Sequence, residues 1–465
     1  MKRINTIFGV ATSVILAVPI GYYAFNNESI IAPQEEKNIV ILDSTSISKK
    51  SNTFLVISDT HLHSEWTQAE VVQNGNEADT GNDLWDISLT KFTNIISGAS
   101  KQPKPDYVIL LGDLPWHAYP TDKTSLSSAR KNTGKVLSHL RNAAQIANVP
   151  LIYAPGNNDS WSGDYRAFTA PNGDTPFALD SLGVKNWPVI NSGTCGLGKA
   201  KACVADNTRG DLGCYAVYPL GKDGGIRLII LNSVMFKYAH HNSNHLHYYG
   251  KPGEQAKDIK NQMDWFTKQF TEGSTEDAIM IGMHIPPGID GHGGSEIWDT
   301  DITYNGKNIK DAFLDIVAEN KDRIVGALTS HTHLDGLRKM MYKDKNDSLQ
   351  FSDLIVSIPA ITPRNGNNPS FKQFNYDAVN HEWMNFKTIN HDYWPSKTVG
   401  SVWKEGKLVS FNNTFKGDTL STMTKRLDTL SFARLLNNVT SIYKAGGNAA
   451  NPNEVIKTLI VAPSN

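Results

Sequence analysis

Tyr107-Val108-Ile109-Leu110-Leu111-Gly112-Asp113 is an apolar run, typical of a buried β-strand, that ends abruptly in a glycine and an aspartate. In open α/β sheets, ligands bind outside the carboxyl ends of the strands. A carboxylate at such an end is a candidate functional group by position alone. Asp113 is therefore the first site residue that the sequence predicts.

Polar residues follow four further apolar runs in the same way. They are Asp59-Thr60-His61 after 54–58, Gly156-Asn157-Asn158-Asp159 after 151–155, His284 after 278–283, and His331-Thr332-His333 after 324–330. Each motif is weak alone, because short motifs match by chance. Together, carboxylates, imidazoles and one amide at the ends of five strands predict a centre for two divalent cations.

The spacing of apolar residues from position 53 onward predicts alternating strands and helices. Helices are expected around 85–96 and 136–144, between the first three strands, which favours a parallel sheet with right-handed crossovers. Beyond Asn191, consecutive strands at 214–220 and 226–233, joined by a glycine-rich turn, predict antiparallel additions. Later elements are a helix at 263–270 and strands at 353–358, 371–376 and 383–389. We predict a four-layer α/β/β/α sandwich.

Composition divides the chain into four segments: a signal peptide or N-terminal anchor at 1–25, a polar linker at 26–52, the α/β domain at 53–390, and a mainly helical C-terminal extension at 391–465. Lys2 and Arg3 precede an apolar stretch that is short for a spanning helix, which favours export. Apolar positions at 427–442 predict that the extension forms a helical cap.

The formal charge of −1 and a sequence pI near 6.9 indicate no nucleic-acid surface and no electrostatic membrane anchor. The three cysteines, Cys195, Cys203 and Cys214, lie within one loop-like segment. In an exported chain they predict one disulfide and one unpaired thiol, with a three-thiolate metal site as the alternative. The pairing is left open.

The order of the strand-end motifs resembles the calcineurin-like metallophosphoesterase superfamily. Three stretches are similar to its acid sphingomyelinase-like branch, namely 112–117, 283–288 and 330–335, and the likeness continues through 358–363 and 368–371. The resemblance implies an α/β/β/α sandwich of the metallophosphoesterase type. It also implies hydrolysis of phosphodiester bonds by a metal-bound hydroxide.

The resemblance implies two metal ions that share Asp113. One would be bound by Asp59, His61, Asp113 and His333, and the other by Asp113, Asn157, His284 and His331. A carboxylate can bridge two cations because its oxygens offer separate lone pairs. Zinc is the usual metal of the branch, and the same ligands would accept iron or manganese.

Two positions depart from the family pattern: Asn158 stands where a histidine usually follows the metal-binding asparagine, and Ser330 stands where a glycine usually precedes His-x-His. His117 and Asn158 are the predicted catalytic residues. Since an amide cannot supply a proton at useful pH, we expect His117 to be the sole general acid. A histidine-rich stretch at 238–249 is expected to form a loop over the crevice.

The sequence thus predicts an exported phosphodiesterase, periplasmic or secreted, or held to a membrane by its N-terminal segment. Its partner would be a small-molecule or lipid phosphoester, with membrane contact through the substrate or that segment. Because the Gly156-Asn157-Asn158-Asp159 string resembles endopolyphosphatases, polyphosphate or nucleotide hydrolysis is the first alternative. A non-catalytic phosphate-ligand binding protein is the second. Oligomeric state is left open.

Overall fold

The computed structural model describes residues 52–74, 79–117, 123–170, 202–237, 253–272, 277–391 and 458–464, with shorter pieces at 175, 189–190, 195, 403–405, 409–410, 421 and 425. All of them belong to one compact unit, Ile39–Asn465. Three predicted features lie outside the described residues: the N-terminal segment and nearly all of the linker, the 238–249 loop, and the 427–442 helix. None of the described helices is long and apolar enough to cross a membrane.

The described elements are numbered in chain order. The helices are α1 (Gln68–Asn74), α2 (Asn82–Ile96), α3 (Lys123–Ala147), α4 (Glu254–Glu272) and α5 (Ile309–Glu319). The strands are β1 (Thr53–Ile57), β2 (Leu62–His63), β3 (Thr80–Gly81), β4 (Tyr107–Leu110), β5 (Leu151–Tyr153), β6 (Val189–Ile190), β7 (Cys203–Asp206), β8 (Tyr215–Tyr218), β9 (Ile226–Leu231), β10 (Ala278–Met283), β11 (Thr303–Tyr304), β12 (Lys307–Asn308), β13 (Ile324–Thr329), β14 (Gly336–Lys343), β15 (Leu349–Ser357), β16 (Ser370–Tyr376), β17 (Trp383–His391), β18 (Trp403–Glu405), β19 (Val409–Ser410) and β20 (Ile460–Val461).

Most strands belong to two mixed sheets. The first has the order β18-β17-β16-β1-β4-β5-β6, with β19 also beside β17, and the second has the order β20-β14-β15-β13-β10-β9-β8-β7. The predicted parallel pairing holds for β1, β4 and β5 in the first sheet. Strands β9, β10 and β13 are also parallel in the second sheet, where the sequence analysis had predicted only antiparallel additions. The predicted hairpin of β8 and β9 is antiparallel.

Alternation of side chains along the strands creates three apolar layers, because successive residues point to opposite faces of a sheet. Phe54 of β1 and Leu228 of β9 belong to the core between the two sheets. Leu55 packs in the core formed with α2 and α3, and Ile229 packs in the core formed with α4 and α5. The order helix, sheet, sheet, helix confirms the predicted four-layer sandwich.

Several elements were missed by the sequence analysis. Helix α5 is one, although Phe313, Ile316 and Val317 have helical spacing and are buried. Strand β14 is another, because Arg338 and Lys339 interrupt its apolar pattern. In the predicted helical extension, the described residues include the short strands β18 to β20 and the helical positions Ser421, Lys425 and Thr458. Strand β20 adds to the second sheet beside β14. The segment bounds remain a prediction.

The cysteines are arranged as one disulfide and one thiol. Cys195 is joined to Cys203, at the start of β7. Cys214 is a free and buried thiol just before β8. The predicted disulfide is thus formed, and the alternative of a three-thiolate metal site is wrong because two of the sulfurs are bonded to each other.

Candidate metal centre

The predicted histidine and aspartate ligands meet where strands of both sheets end. Asp113 is central: its Oδ2 lies 3.2 Å from His284 Nε2 and 3.5 Å from His61 Nε2. Asp59 Oδ1 lies 3.5 Å from His333 Nε2 and 3.8 Å from His61 Nε2. Ligands separated by more than 200 residues in sequence therefore share one small volume.

These side chains form two groups whose candidate ligand atoms all lie within 4.8 Å of one another. We name them the Asp59 group (Asp59, His61 and His333) and the His284 group (Asp113, His284 and His331). The division matches the two metal sites implied by the resemblance, with Asp113 close to both groups. The metal-binding role of each residue remains a prediction.

Five buried polar atoms of predicted site residues have no hydrogen-bond partner: Asp59 Oδ1, Asn157 Oδ1, Asn158 Oδ1, His284 Nε2 and His333 Nδ1. Buried polar atoms are normally hydrogen-bonded, so an unpartnered one indicates an ion, a water or a catalytic role. Carboxylate and amide oxygens combined with imidazole nitrogens suit a divalent transition-metal ion. The residues present therefore fit two divalent cations.

Five of the predicted ligands have left-handed backbone conformations, with φ of 49° at Asp59, 38° at His61, 55° at Asp113, 69° at His331 and 60° at His333. For residues other than glycine this conformation costs roughly 1–2 kcal/mol each. Such strain concentrates at functional sites, where it orients side chains. The backbone here turns sharply at each strand end.

Two glycines allow the loops after β4 and β5 to touch. A Cβ added at Gly112, where φ is 84°, would lie 2.2 Å from Gly156 N, and one at Gly156 would lie 2.2 Å from Asp113 Oδ1. Neither position has space for a side chain. Asp159 joins the same two loops by accepting hydrogen bonds from the backbone N–H groups of Asp113 (2.9 Å) and Gly156 (2.7 Å).

Mutual charge keeps the carboxylates ionised. Burial raises the pKa of Asp59, but the nearby imidazoles of His284, His61 and His333 outweigh it and lower the pKa to about 2. Burial lowers the pKa of His284, but Asp113 and Asp59 outweigh it and raise the pKa to about 9. The negative charge of Asp113 and Asp59, which favours a proton on His284, would equally favour a metal ion at His284 Nε2. Metal binding there would therefore release the proton.

The two histidines of the His-x-His motif have lowered pKa values, in contrast to His284. Burial, followed by the nearby positive charge of His284, lowers the pKa of His331 to about 4. Burial also holds the pKa of His333 well below its usual value. Both imidazoles are therefore neutral at pH 7, which is the form that binds metal ions.

Ser330, the residue in place of the family's glycine, contacts a predicted ligand. Its hydroxyl is within hydrogen-bond distance of Asp59 Oδ2 and lies 3.0 Å from the Ile358 carbonyl oxygen. A glycine would leave Asp59 without this partner. The departure from the family pattern thus adds an interaction to the Asp59 group.

His117 lies against the Asp59 group without belonging to it. Its ring stacks on that of His61 with centroids 4.1 Å apart, and its Nδ1 is 2.9 Å from Asp79 Oδ1. Burial raises the pKa of Asp79, but His117, His61 and Arg364 outweigh burial and lower it to about 2. Asp79 is thus a carboxylate that accepts a hydrogen bond from His117 and fixes its orientation.

Asn158, the second predicted catalytic residue, is directed at Asp113. Its backbone N–H donates to Asp113 Oδ1 at 2.8 Å and its side-chain amide donates to Oδ2 at 2.9 Å. The amide therefore takes part in holding the central carboxylate, and a catalytic role for Asn158 remains a prediction.

A model of the Calcineurin-like phosphoesterase family matches residues 53–335. The chain belongs to this family. The resemblance predicted from the strand-end motifs is confirmed, and with it the class of phosphoester hydrolases that use divalent metal ions. The match ends at Asp335, directly after the His-x-His motif, so it covers every predicted ligand.

Curated relatives of this calcineurin-like phosphoesterase include two proteins of Dictyostelium discoideum. "Sphingomyelinase phosphodiesterase D" is 24% identical over 277 residues, which are 59% of this chain and 53% of that protein. "Sphingomyelin phosphodiesterase B" is 28% identical over 167 residues, which are 35% of this chain and 23% of that protein. The chain thus spans about half the length of the first and about a quarter of the second. A solved structure titled "Structure of PhoD" is 12% identical, covers 79% of this chain and 73% of its own, and has a TM-score of 0.43.

Three residues that support this phosphoesterase centre were given no supporting role by the sequence analysis. Asp159 belongs to the quoted Gly-Asn-Asn-Asp string, so its position after a metal-binding asparagine was a usable signal. Ser330 was noted only as a departure. Asp79 lies in an ordinary turn composition before α2, and no local pattern distinguishes it, because its partner His117 is 38 residues away.

Proposed function

We propose that this calcineurin-like phosphoesterase is an exported, two-metal phosphodiesterase that hydrolyses phosphodiesters of the sphingomyelin type. The observation that carries the proposal is the pair of ligand groups with His117 stacked beside them. Two sphingomyelin phosphodiesterases among the relatives support the substrate class. Since the chain covers only part of each, the substrate is a proposal about this chain.

The Asp59 group would hold one ion and the His284 group, completed by Asn157, would hold the other. When bound, two divalent cations neutralise phosphoryl oxygens and lower the pKa of water toward 7. Zinc is our proposed metal, with iron and manganese as alternatives. Asn158 and Asp159 would keep Asp113 and its loop in place while charge changes on the substrate.

His117 would protonate the leaving group. Its Nδ1 is engaged by Asp79, which leaves Nε2 as the nitrogen that exchanges a proton with substrate. The side chain is 32% exposed, so a substrate can reach it, whereas His61 beneath it is fully buried. A positioned acid typically contributes about 10²- to 10⁴-fold to the rate.

Charge beside the centre favours a diester over a polyphosphate. A cavity of ≈ 140 Å³ next to His331 is lined by the carboxylates Asp290 and Glu296 and by Lys237. Lys237 is already paired with Asp299 and Glu296 with Lys310, each at 2.7 Å, so Asp290 gives the cavity its negative charge. Because the pocket has no unpaired cation among its described lining residues, a polyphosphate chain with a charge on each phosphoryl group would be repelled. Polyphosphate or nucleotide hydrolysis remains the alternative suggested by Asn158.

Export is supported by the basic and apolar N-terminal pattern and by the Cys195–Cys203 disulfide, which persists in oxidising compartments. The partner would be a lipid or small phosphodiester, reached at a membrane surface or in solution.

One panel of substrates tests the proposal. Zinc-loaded protein is assayed with bis-nitrophenyl phosphate, nitrophenyl phosphate, nitrophenyl phosphorylcholine, sphingomyelin, nucleoside triphosphates and polyphosphate, with Asp113→Asn protein as the control. We expect the diesters to be hydrolysed faster than the monoester and sphingomyelin to be cleaved. Faster turnover of polyphosphate or nucleotides would replace the proposal by its alternative. No turnover of any substrate, with phosphate still bound, would favour a binding protein.

A further inference from the structure

The loop at 160–168, directly after the Asn157 turn, contacts one half of the metal centre. Asp164 Oδ1 accepts a hydrogen bond of 2.7 Å from the side-chain amide of Asn157. This leaves Asn157 Oδ1 as the buried atom without a hydrogen bond. An amide can present either its oxygen or its nitrogen, and only the oxygen can bind a cation. Asp164 therefore selects the orientation of the amide that can act as a ligand.

The neighbouring residue contacts a second predicted ligand of the same ion. The Tyr165 hydroxyl lies 3.2 Å from His331 Nε2, and the Tyr165 backbone N–H donates to the Asn157 carbonyl at 3.0 Å. With Nε2 engaged by the phenol, Nδ1 is the nitrogen of His331 available to a cation. Metal-binding histidines usually donate their other ring nitrogen to such a partner, which fixes the ring.

The backbone of this loop is strained at the same place. Tyr165 has a φ of 55°, a conformation that bulky residues rarely adopt. The side chain is 7% exposed and its ring meets that of His331 edge-on, with centroids 6.0 Å apart. Strained conformations of this kind persist where the surrounding structure requires a side chain in one position.

The Asp59 group has different partners. Asp59 contacts Ser330, and His61 Nδ1 lies 3.1 Å from the Pro115 carbonyl oxygen. Among the described contacts, no residue of the 160–168 loop bonds to that group. The loop can therefore alter one site while the other is unchanged.

We infer that Asp164 and Tyr165 are positioning residues that set the affinity of a single ion, the one held by Asn157, His284 and His331. The inference rests on the proposed two-metal centre. Loss of either contact would leave a ligand free to rotate away from the ion. Loss of such a partner typically weakens metal binding about 10- to 100-fold.

Zinc titration of the full chain, freed of metal with a chelator, tests the inference. We expect wild-type protein to bind two Zn²⁺ ions, and Asp164→Ala and Tyr165→Phe each to weaken one of them about 10- to 100-fold while the other is unchanged. Asp164→Asn, which retains an acceptor oxygen, should recover most of the affinity. Ser162→Ala is the matched control, because Ser162 lies in the same loop and its side chain makes no described contact with a predicted ligand. The melting temperature of each metal-free variant shows whether it folds.

The outcomes separate this inference from the proposed function. If wild-type protein binds fewer than two Zn²⁺ ions, the two-metal centre and this inference both fall. If it binds two and both Asp164→Ala and Tyr165→Phe keep wild-type affinities, only the inference falls. Equal weakening of both ions would also overturn it, because the loop would then act on the whole centre. A variant that does not fold is replaced by Asp164→Ser or Tyr165→Leu, judged by the same criteria.

Discussion

The Asp59 group and the His284 group differ in what holds their ligands. Asp59 and His61 are fully buried. Asp59 contacts the strand-end residue Ser330, and His61 contacts the carbonyl of Pro115, which is bridged to Leu62 of β2. In the His284 group, His284 Nδ1 contacts the Leu111 carbonyl at 2.6 Å, but His331 is half-buried and depends on Tyr165. One half is thus fixed by the edges of the sheets, and the other is completed by a loop.

The difference predicts that the two metal ions are held with unequal affinity. A ligand set fixed by sheet edges is already in place before the metal arrives, so binding costs little ordering of side chains. A set completed by a loop loses affinity whenever the loop opens, because local opening requires less free energy than global unfolding. We therefore expect the ion of the His284 group to exchange faster with a chelator than the ion of the Asp59 group.

The largest effect is expected at Asp113, where the difference between the two groups should disappear. Asp113→Asn keeps the shape of the side chain but removes the shared anion, so both ions should weaken together. Since bound metal ions contribute several kcal/mol to catalysis, kcat/KM should fall about 10³-fold or more. Metal analysis by mass spectrometry measures the loss. Two tightly retained ions would show that Asp113 is not shared, and His61→Ala, which should mainly affect one ion, is the control.

His117 should affect catalysis while both groups keep their ions. In His117→Ala, activity should fall about 10²- to 10⁴-fold for alkoxide leaving groups such as ceramide. It should fall much less for nitrophenolate, which leaves without protonation. Metal content should be unchanged, and Asp79→Asn should give a smaller loss of the same kind. An equal loss for both leaving groups would make His117 a binding residue. Loss of metal would show that His117 helps to hold a metal ion.

Ser330 should affect only the more rigid half. Ser330→Gly removes the hydroxyl next to Asp59, and we expect the ion of the Asp59 group to bind about 10-fold more weakly. The His284 group should keep its affinity, and Zn²⁺ competition with a chelator resolves the two. If the loss appears in the His284 group instead, the two halves are coupled more closely than their contacts indicate.

The smallest effect concerns a carboxyl far from both groups. Burial raises the pKa of Asp353 on β15 from 3.8 to about 8. Between those values the folded chain holds a proton that the unfolded chain lacks, so the free energy of unfolding falls as pH rises. Asp353→Asn should remove this dependence and raise Tm at pH 8 by about 2–4 °C, with little change at pH 4. Metal affinities should be unaffected, and a lower Tm at pH 8 would contradict the assignment.

The strand-end motifs predicted the fold, and they singled out the six acidic and histidine residues that lie together in the two groups, whose metal-binding role stays a prediction. They succeeded because a strand buried on both faces is a local signal, and a polar residue at its end is equally local. Asp79, Tyr165 and Asp164 were missed because their relevance depends on partners distant in sequence, or on which way an amide faces. Strand β14 was missed because its charged residues hide the apolar alternation.

The left-handed backbone at Asp59, His61 and Asp113 illustrates the same limit. Aspartate and histidine adopt positive φ more often than most residues, but the conformation is still uncommon for them, so their presence in a sequence does not predict it. The loops that carry these residues are joined to each other, because the backbone N–H groups of Asp59 and His61 donate to the carbonyls of Gly112 and Asp113, each at 3.0 Å. These contacts are a property of the assembled sandwich.

The contact between His61 and His333 joins residues 272 positions apart, across two sheets. Long loops must close before such a contact forms, and contacts of this kind arise late in folding. The ligands of either ion cannot therefore converge until both sheets have packed. Metal uptake then reports that folding is complete, and a chain halted with one sheet formed would remain free of metal. Following Zn²⁺ binding during refolding would time the last step of assembly.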